Sequence, residues 1–196
     1  FGGNVQTTDE HLFVSLSDVT IKSHPQNTGT LHGSILRYNL DGSIPRNNPL
    51  GPNNPIYAWG LRNCFDLDFD GEGRLFCGEN GPSRHDSVNR IQRGHNYGWP
   101  SMYGFCDHHP VLERCKDEGF TEPVYEFPFR VGPTGILMYE GAMFPEWRGD
   151  IFLGGWHTGE VHHLKPSEGK EGRFRSTEGP FFVLPSNPYE LRNDAE

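Results

Sequence analysis

Apolar residues in this chain come in bursts of two or three, each opened by a turn or acidic residue and closed by polar ones. One burst runs Asp9-Glu10-His11-Leu12-Phe13-Val14 toward Ser17-Asp18. It returns as Gly73-Arg74-Leu75-Phe76-Cys77 toward Glu79-Asn80, and again as Gly149-Asp150-Ile151-Phe152-Leu153 toward Trp156-His157. Bursts this short suit strands, whose side chains alternate between two faces. Further strand candidates lie between the copies, at residues 34–39, 64–69, 124–127, 135–139 and 160–164. A strand ending at Arg62-Asn63 is also expected, ahead of a hairpin centred on Asp70-Gly71-Glu72-Gly73. Asp41-Gly42 and Gly132-Pro133 read as turns, and no stretch sustains a helical period. The copies are unequally spaced, at intervals of the size of propeller blades with insertions. The expectation is an all-β fold, a β-propeller first and a sandwich second.

A propeller would give the repeats a functional meaning. Equivalent strands end at the same rim, so Asp18, Glu79-Asn80 and Trp156-His157 would meet at one mouth. Polar groups converging over an apolar, aromatic floor are the usual form of a ligand site.

Composition narrows the choice. The chain has 196 residues, enough for one domain, with 25 Gly and 16 Pro but only 34% hydrophobic residues. That balance suits many short strands and argues against a helical bundle. Fourteen Phe, seven Tyr and four Trp can bury enough surface to argue against disorder. A net charge of −9 disfavours nucleic acid and anionic membranes as partners, and no apolar run reaches membrane-spanning length. Four cysteines form no CxxC pair. Cys106 and Cys115 bracket a polar loop with a spacing that suits a disulfide, and Cys64 and Cys77 lie on two arms of one hairpin and could face each other. An even count in a loop-rich acidic chain favours an oxidising compartment, extracellular or periplasmic, with unpaired thiols as the alternative.

Residues 57–100 carry the most chemistry. Arg62-Asn63, the Glu79-Asn80-Gly81-Pro82 turn and the aromatic Asn96-Tyr97-Gly98-Trp99-Pro100 gather a cation, an amide, a carboxylate and a turn with unpaired carbonyls at neighbouring strand ends. Such a set suits an anionic, metal-assisted ligand. Asp66, Asp68, Asp70 and Gly71 imitate the start of an EF-hand loop, but Cys77 stands where its bidentate Glu belongs, so a strand entering a hairpin is the better reading. His162 and His163 are adjacent on a strand and point to opposite faces, so they cannot share one metal; exposed or loop positions are expected. Tyr97, Trp99 and Trp147 are read as packing residues before channel residues.

This block resembles the glucose/sorbosone dehydrogenase family of pyrroloquinoline quinone (PQQ) enzymes. Residues 33–45, GSILRYNLDGSIP, are similar to that family's GKILRLNPDGSIP segment; Arg130-Val131-Gly132-Pro133-Thr134-Gly135 resembles its APSG turn, and residues 144–150 its FPxWRGD. The resemblance covers nearly the whole chain, in order. It implies a six-bladed β-propeller with the cofactor on the pseudo-axis, of which residues 1–196 form one partial propeller of three to four blades, an interior piece of a longer protein. Such a piece is expected to be neither well folded nor active by itself, because an incomplete propeller exposes strand edges.

The resemblance also implies roles. Gly81 and Pro82 match the pair whose backbone carbonyls hold Ca²⁺ beneath PQQ, and Arg62 and Asn63 match the pair that contacts the quinone oxygens. Asp18 matches the acid that supports the catalytic base. Asp86 and Asn89 match polar residues after the calcium turn, with Ser87 in place of a second acid. Tyr103 and Phe105, through carbonyls, and Asp107, through its carboxylate, match a second, structural calcium site. Arg130, His157 and Arg192 match cofactor-binding positions; His157 replaces a lysine, and Glu190 replaces an arginine that accompanies Arg192. The base itself, a histidine in these enzymes, would fall immediately before Phe1. The implied activity is oxidation of an aldose sugar at C1 to the lactone, with electrons passed to an external acceptor. The alternative is a non-catalytic propeller that binds a partner protein, as the Hedgehog-interacting propellers do.

Overall fold

The computed structural model describes residues 3–108, 118–168, 172–177 and 179–183. These form three antiparallel sheets, each a simple meander. The first holds β1 (Val5–Thr7), β2 (His11–Leu16), β3 (Ser34–Asn39) and β4 (Ile56–Trp59). The second holds β5 (Cys64–Phe69), β6 (Leu75–Glu79), β7 (Ser87–Ile91) and β8 (Tyr125–Glu126). The third holds β9 (Pro133–Met138), β10 (Ile151–Gly155), β11 (Glu160–Pro166) and β12 (Phe174–Ser176), with β13 (Phe182–Val183) paired to the other end of β11. Helical structure among the described residues is limited to two 3₁₀ turns, Cys106–His108 and Pro145–Trp147.

These are blades of a β-propeller, and the described residues supply three of them. The three sequence copies become β2, β6 and β10, the second strand of every blade. First strands pack side by side, β1 with β5 and β5 with β9. One apolar layer, including Phe13, Ile35, Leu67, Leu75 and Ile91, fills the space between the first two blades. Another, including Phe76, Val88, Ile136, Ile151, Leu153 and Leu164, lies between the second and third. The alternation on β6 makes this possible, because Leu75 and Cys77 face one neighbour while Phe76 faces the other. Full burial of Leu67 or Ile151 is worth about 1.5–3 kcal/mol each.

The acidic strand β5 has a definite task. Asp66 Oδ2 accepts the Ile136 N–H at 2.9 Å and Asp68 Oδ2 the Met138 N–H at 2.7 Å, which ties the second blade to β9 of the third. Asp70 closes the hairpin by accepting the N–H groups of Glu72 and Arg74. These acids build a strand and its turn, as the failed EF-hand pattern implied. Cys64 and Cys77 are disulfide-bonded across β5 and β6, with Cα atoms 5.8 Å apart. Cys106 is also disulfide-bonded, and the Cys115 that its spacing suggests lies outside the described residues.

Two expectations are corrected. Arg62-Asn63 does not end a strand: β4 stops at Trp59, and residues 60–63 form the connection between the first two blades. Gly60 takes positive φ there, and the Leu61 N–H donates at 3.0 Å to the carbonyl of Gly33, just before β3, so the chain turns instead of continuing a ladder. The histidine pair is buried, not exposed. His163 stacks on Phe152, its cross-strand partner, and its Nε2 lies 2.6 Å from Asp150. His162 faces the other way, toward Thr158 and Glu160.

Candidate functional site

At the rim where β2, β6 and β10 finish, groups from all three blades are joined by hydrogen bonds. Asp18, just past β2, is buried; its N–H donates to the Arg62 carbonyl, and its two carboxylate oxygens accept the Thr20 N–H and the Trp99 indole N–H, each at 2.9 Å. Val19 and Thr20 both adopt positive φ, so the chain holds an unfavourable backbone to close this turn around the Asp18 carboxylate. The Arg62 guanidinium lies 5.8 Å from the Trp99 ring and donates to the Asn80 carbonyl at 2.8 Å. Asn80 reaches on to the third blade, where its amide donates to the Pro133 carbonyl at 2.8 Å.

Two carboxylates organise the turn at Gly81-Pro82. Glu79 accepts the Arg62 N–H at 2.7 Å and the Asn89 amide at 2.5 Å. Burial lifts its carboxyl to about 7, against the pull of those donors and of the Arg62 charge, with Asp86 pushing in the same direction as burial. Asp86 is almost fully buried and accepts three backbone N–H groups: Gly81 at 2.9 Å on one oxygen, Val131 and Gly132 at 2.7 Å on the other. One side chain thereby fixes the turn of the second blade against the entry to the third. Gly81 is required there, since a Cβ would sit 2.3 Å from the His85 carbonyl oxygen. Ser83 and His85 take positive φ within the same turn.

Two spaces open from these groups. Arg62, Glu79, Gly81, Pro82, Trp99 and Tyr103 line a crevice of about 10 Å³, just enough for one water molecule. Beside it, Asn63, Asn80, Gly132, Pro133, Trp156 and His157 line a cleft of about 330 Å³, within the range of small-molecule sites. Gly132 keeps that cleft open, because a Cβ there would lie 2.7 Å from the His157 ring. Of the three strand ends named by the repeats, Glu79-Asn80 and Trp156-His157 line these two spaces, while Asp18 lines neither and is tied to them through Trp99 and the Arg62 carbonyl.

The remaining sequence-predicted residues are spread more widely. Arg130 is exposed and lines neither space. Tyr103 lines the crevice, whereas Phe105 and Asp107 line a separate cleft with Glu122, Glu126 and Arg173. Arg192 lies outside the described residues. No three His, Cys, Asp or Glu side chains cluster as metal ligands among the described residues, so a cation at the Gly81-Pro82 turn would rely on backbone oxygens. The Pro82 carbonyl accepts the Arg84 N–H at 2.6 Å, and among the described residues no hydrogen bond reaches that of Gly81. Trp99 is buried, as a packing residue should be, but it also bridges Asp18 and Arg62. Glu79 is the carboxylate expected among the clustered strand ends, but its contacts with Arg62 and Asn89 depend on strand pairing that no local pattern reveals.

The family model described as Glucose / Sorbosone dehydrogenase matches residues 1–179. Over 80 residues the chain is 46% identical to quinoprotein glucose dehydrogenase B of Acinetobacter calcoaceticus, covering 40% of this chain and 17% of that protein. The soluble aldose sugar dehydrogenase of Escherichia coli, solved in the apo form, superposes with a TM-score of 0.77 at 23% identity, covering 92% of this chain and 54% of that one. The PQQ-bound form of aldose sugar dehydrogenase from Streptomyces coelicolor gives a TM-score of 0.72 at 26% identity, covering 90% and 48%. The chain spans about half the length of the curated relatives it matches, 44% of each in two alignments that cover 83% and 79% of it.

Proposed function

Because the chain belongs to the glucose/sorbosone dehydrogenase family, we propose that the protein containing it oxidises an aldose sugar at C1 to the lactone, using PQQ and Ca²⁺ and passing electrons to an external acceptor. The observation that supports this most is the shared rim. There the Arg62 guanidinium and the Gly81-Pro82 turn line one crevice, beside a cleft with an amide, an indole and an imidazole.

The residues present fit an anionic, flat cofactor. Arg62 uses one of its five N–H donors on Asn80, which leaves others for an anionic oxygen. Trp156 is half-exposed and offers a flat wall, and the Gly132 gap admits a ring that a side chain would exclude. The carbonyls of Gly81 and Pro82 would hold a hard cation that prefers oxygen. When bound, PQQ supplies the two-electron acceptor and calcium the Lewis acid that polarises it.

This chain's own residues position and charge the site. Arg62 stabilises negative charge developing above the crevice. Asp18 acts as a positioning residue, since both carboxylate oxygens are already engaged by Trp99 and Thr20; it holds the indole against which Arg62 rests. Asp86 fixes the turn that presents the two carbonyls. The disulfides support an extracellular or periplasmic location, which we propose with the activity. Residues 1–196 alone are proposed to be inactive.

The test reconstitutes the full-length protein with PQQ and Ca²⁺ and follows reduction of an artificial acceptor by glucose and other aldoses. Sugar-dependent reduction that is lost on chelation of calcium is the expected result. Cofactor bound in stoichiometric amount without any sugar-dependent turnover would overturn the proposal.

A further inference from the structure

The turn that carries Gly81 and Pro82 holds an unfavourable backbone. Ser83 and His85 take φ of 62° and 74°, although neither is glycine. A residue with a Cβ enters that region reluctantly and stays there only where its surroundings fix it. His85 also bears directly on the first residue of the pair, because a Cβ on Gly81 would lie 2.3 Å from the His85 carbonyl oxygen. Whatever fixes His85 therefore shapes the turn.

A side chain from β8, the outermost strand of the second blade, does so. The Glu126 side chain is only 6% exposed, and its Oε1 lies 2.6 Å from His85 Nδ1. Its Oε2 accepts the Phe105 N–H at 2.7 Å. The same carboxyl abuts Gly104, where a Cβ would come within 2.5 Å of Oε1. His85 and Gly104 both line the crevice shared by Arg62, Gly81 and Pro82, so one carboxylate holds two parts of its wall. These parts are 41 and 21 residues away from it along the chain, and no local turn could fix their separation. Ring contacts extend the link inward: His85 lies 5.1 Å from Tyr103, and Tyr103 lies 6.0 Å from Trp99, the ring beside Arg62. The neighbouring backbone grips the same turn, since the Phe127 N–H donates to the Asp86 carbonyl at 2.8 Å and Glu126 is the cross-strand partner of Ser87.

We propose that Glu126 is a positioning residue for the crevice. Through His85 it holds the Gly81-Pro82 turn in the shape that offers oxygen to a cation, and through Gly104 and Phe105 it fixes a second stretch of the wall. This role rests on the PQQ and calcium reading of the crevice and adds to it a residue that lines neither the crevice nor the cleft beside it. Hydrogen bonds to a carboxylate are among the stronger ones, which suits a group that must hold a strained turn in place.

The measurement is the calcium concentration at which PQQ binds half-maximally to the full-length protein, followed by quenching of tryptophan fluorescence with no sugar present. Glu126→Ala and His85→Asn should each raise that concentration about tenfold, the size of one hydrogen bond to a charged group. Asparagine tolerates positive φ, so His85→Asn cuts the link without adding backbone strain and stays informative if Glu126→Ala does not fold. Both changes act on one link, so the double variant should be no worse than Glu126→Ala alone, whereas independent roles would multiply to about a hundredfold. A parent-like calcium requirement in either single variant, or a hundredfold rise in the double, would overturn the proposal. Failure of the parent itself to bind PQQ in a calcium-dependent way would overturn the reading of the crevice, and the role of Glu126 with it.

Discussion

Asp86 offers the sharpest quantitative test of how the site is built. Its carboxylate is the sole acceptor, among the described residues, for the N–H groups of Gly81, Val131 and Gly132. Asp86→Ala removes all three contacts in a place that is 2% exposed. A buried donor left unmade costs about 1–3 kcal/mol, and water reaching the Gly81 side relieves part of the total, so the expected loss is about 3–5 kcal/mol. Asp86→Asn preserves shape but not chemistry. Its carbonyl can keep Val131 and Gly132, while its amide N–H₂ then opposes the Gly81 N–H, donor against donor. The expected loss is about 2–3 kcal/mol, with the damage concentrated at the Gly81-Pro82 turn. Urea denaturation of the full-length protein measures this as a midpoint about 1 M lower, at a typical slope of about 1–3 kcal/mol per molar. Calcium affinity, measured in parallel, should fall in both variants. A midpoint shift in D86N worth less than about 0.5 kcal/mol, with calcium affinity unchanged, would refute the assignment of Asp86 as the anchor of the turn.

Other outcomes follow from the same geometry. Arg62→Lys keeps the charge but cannot both reach the Asn80 carbonyl and present a planar fork, so sugar-dependent turnover of the reconstituted protein should fall about a hundredfold while the melting temperature stays within a few degrees; full activity would show that Arg62 is not at the cofactor. The double substitution Cys64→Ala, Cys77→Ala opens a crosslink between residues 13 apart, and denaturation should report a loss of about 3 kcal/mol, with a negligible shift counting against the bond's contribution. Burial lowers the His162 imidazole below its ordinary 6.5, so the folded state binds that proton less readily than the unfolded state. Its contribution to stability is therefore intact above about 6.5 and is lost as pH falls below it. Melting temperatures at pH 7.5 and 5.0 should fall further apart in the parent than in His162→Gln, and equal differences would contradict the sign.

What was legible in the sequence was mostly local. β3 and β5 were bounded to the residue because SILRYN and CFDLDF are compact bursts closed by turn residues. β7 escaped notice because SVNRI has only two apolar residues, and its buried Ser87 and Asn89 are satisfied only once β6 lies beside them. The Glu79-Asn80-Gly81-Pro82 turn was readable from its glycine and proline. The partners of Asp86 were not, since two of its three donors arrive from another blade. His162 and His163 looked like surface residues because imidazoles are soluble. Pairing of β10 with β11 supplies what buries them, with Phe152 opposite His163 and Asp150 within reach of it.

The acids on β5 bear on how this protein could be re-engineered. Asp66 and Asp68 do not merely fill space between sheets; each matches one carboxylate oxygen to one amide of β9. Apolar burial is non-directional, whereas hydrogen bonds at 2.7 and 2.9 Å fix both distance and angle. Exchange of the third sheet for that of a homologue should therefore succeed only when the incoming strand offers amides in the same phase. A graft one position out of step would leave two carboxylates stranded, however well its oily surfaces matched.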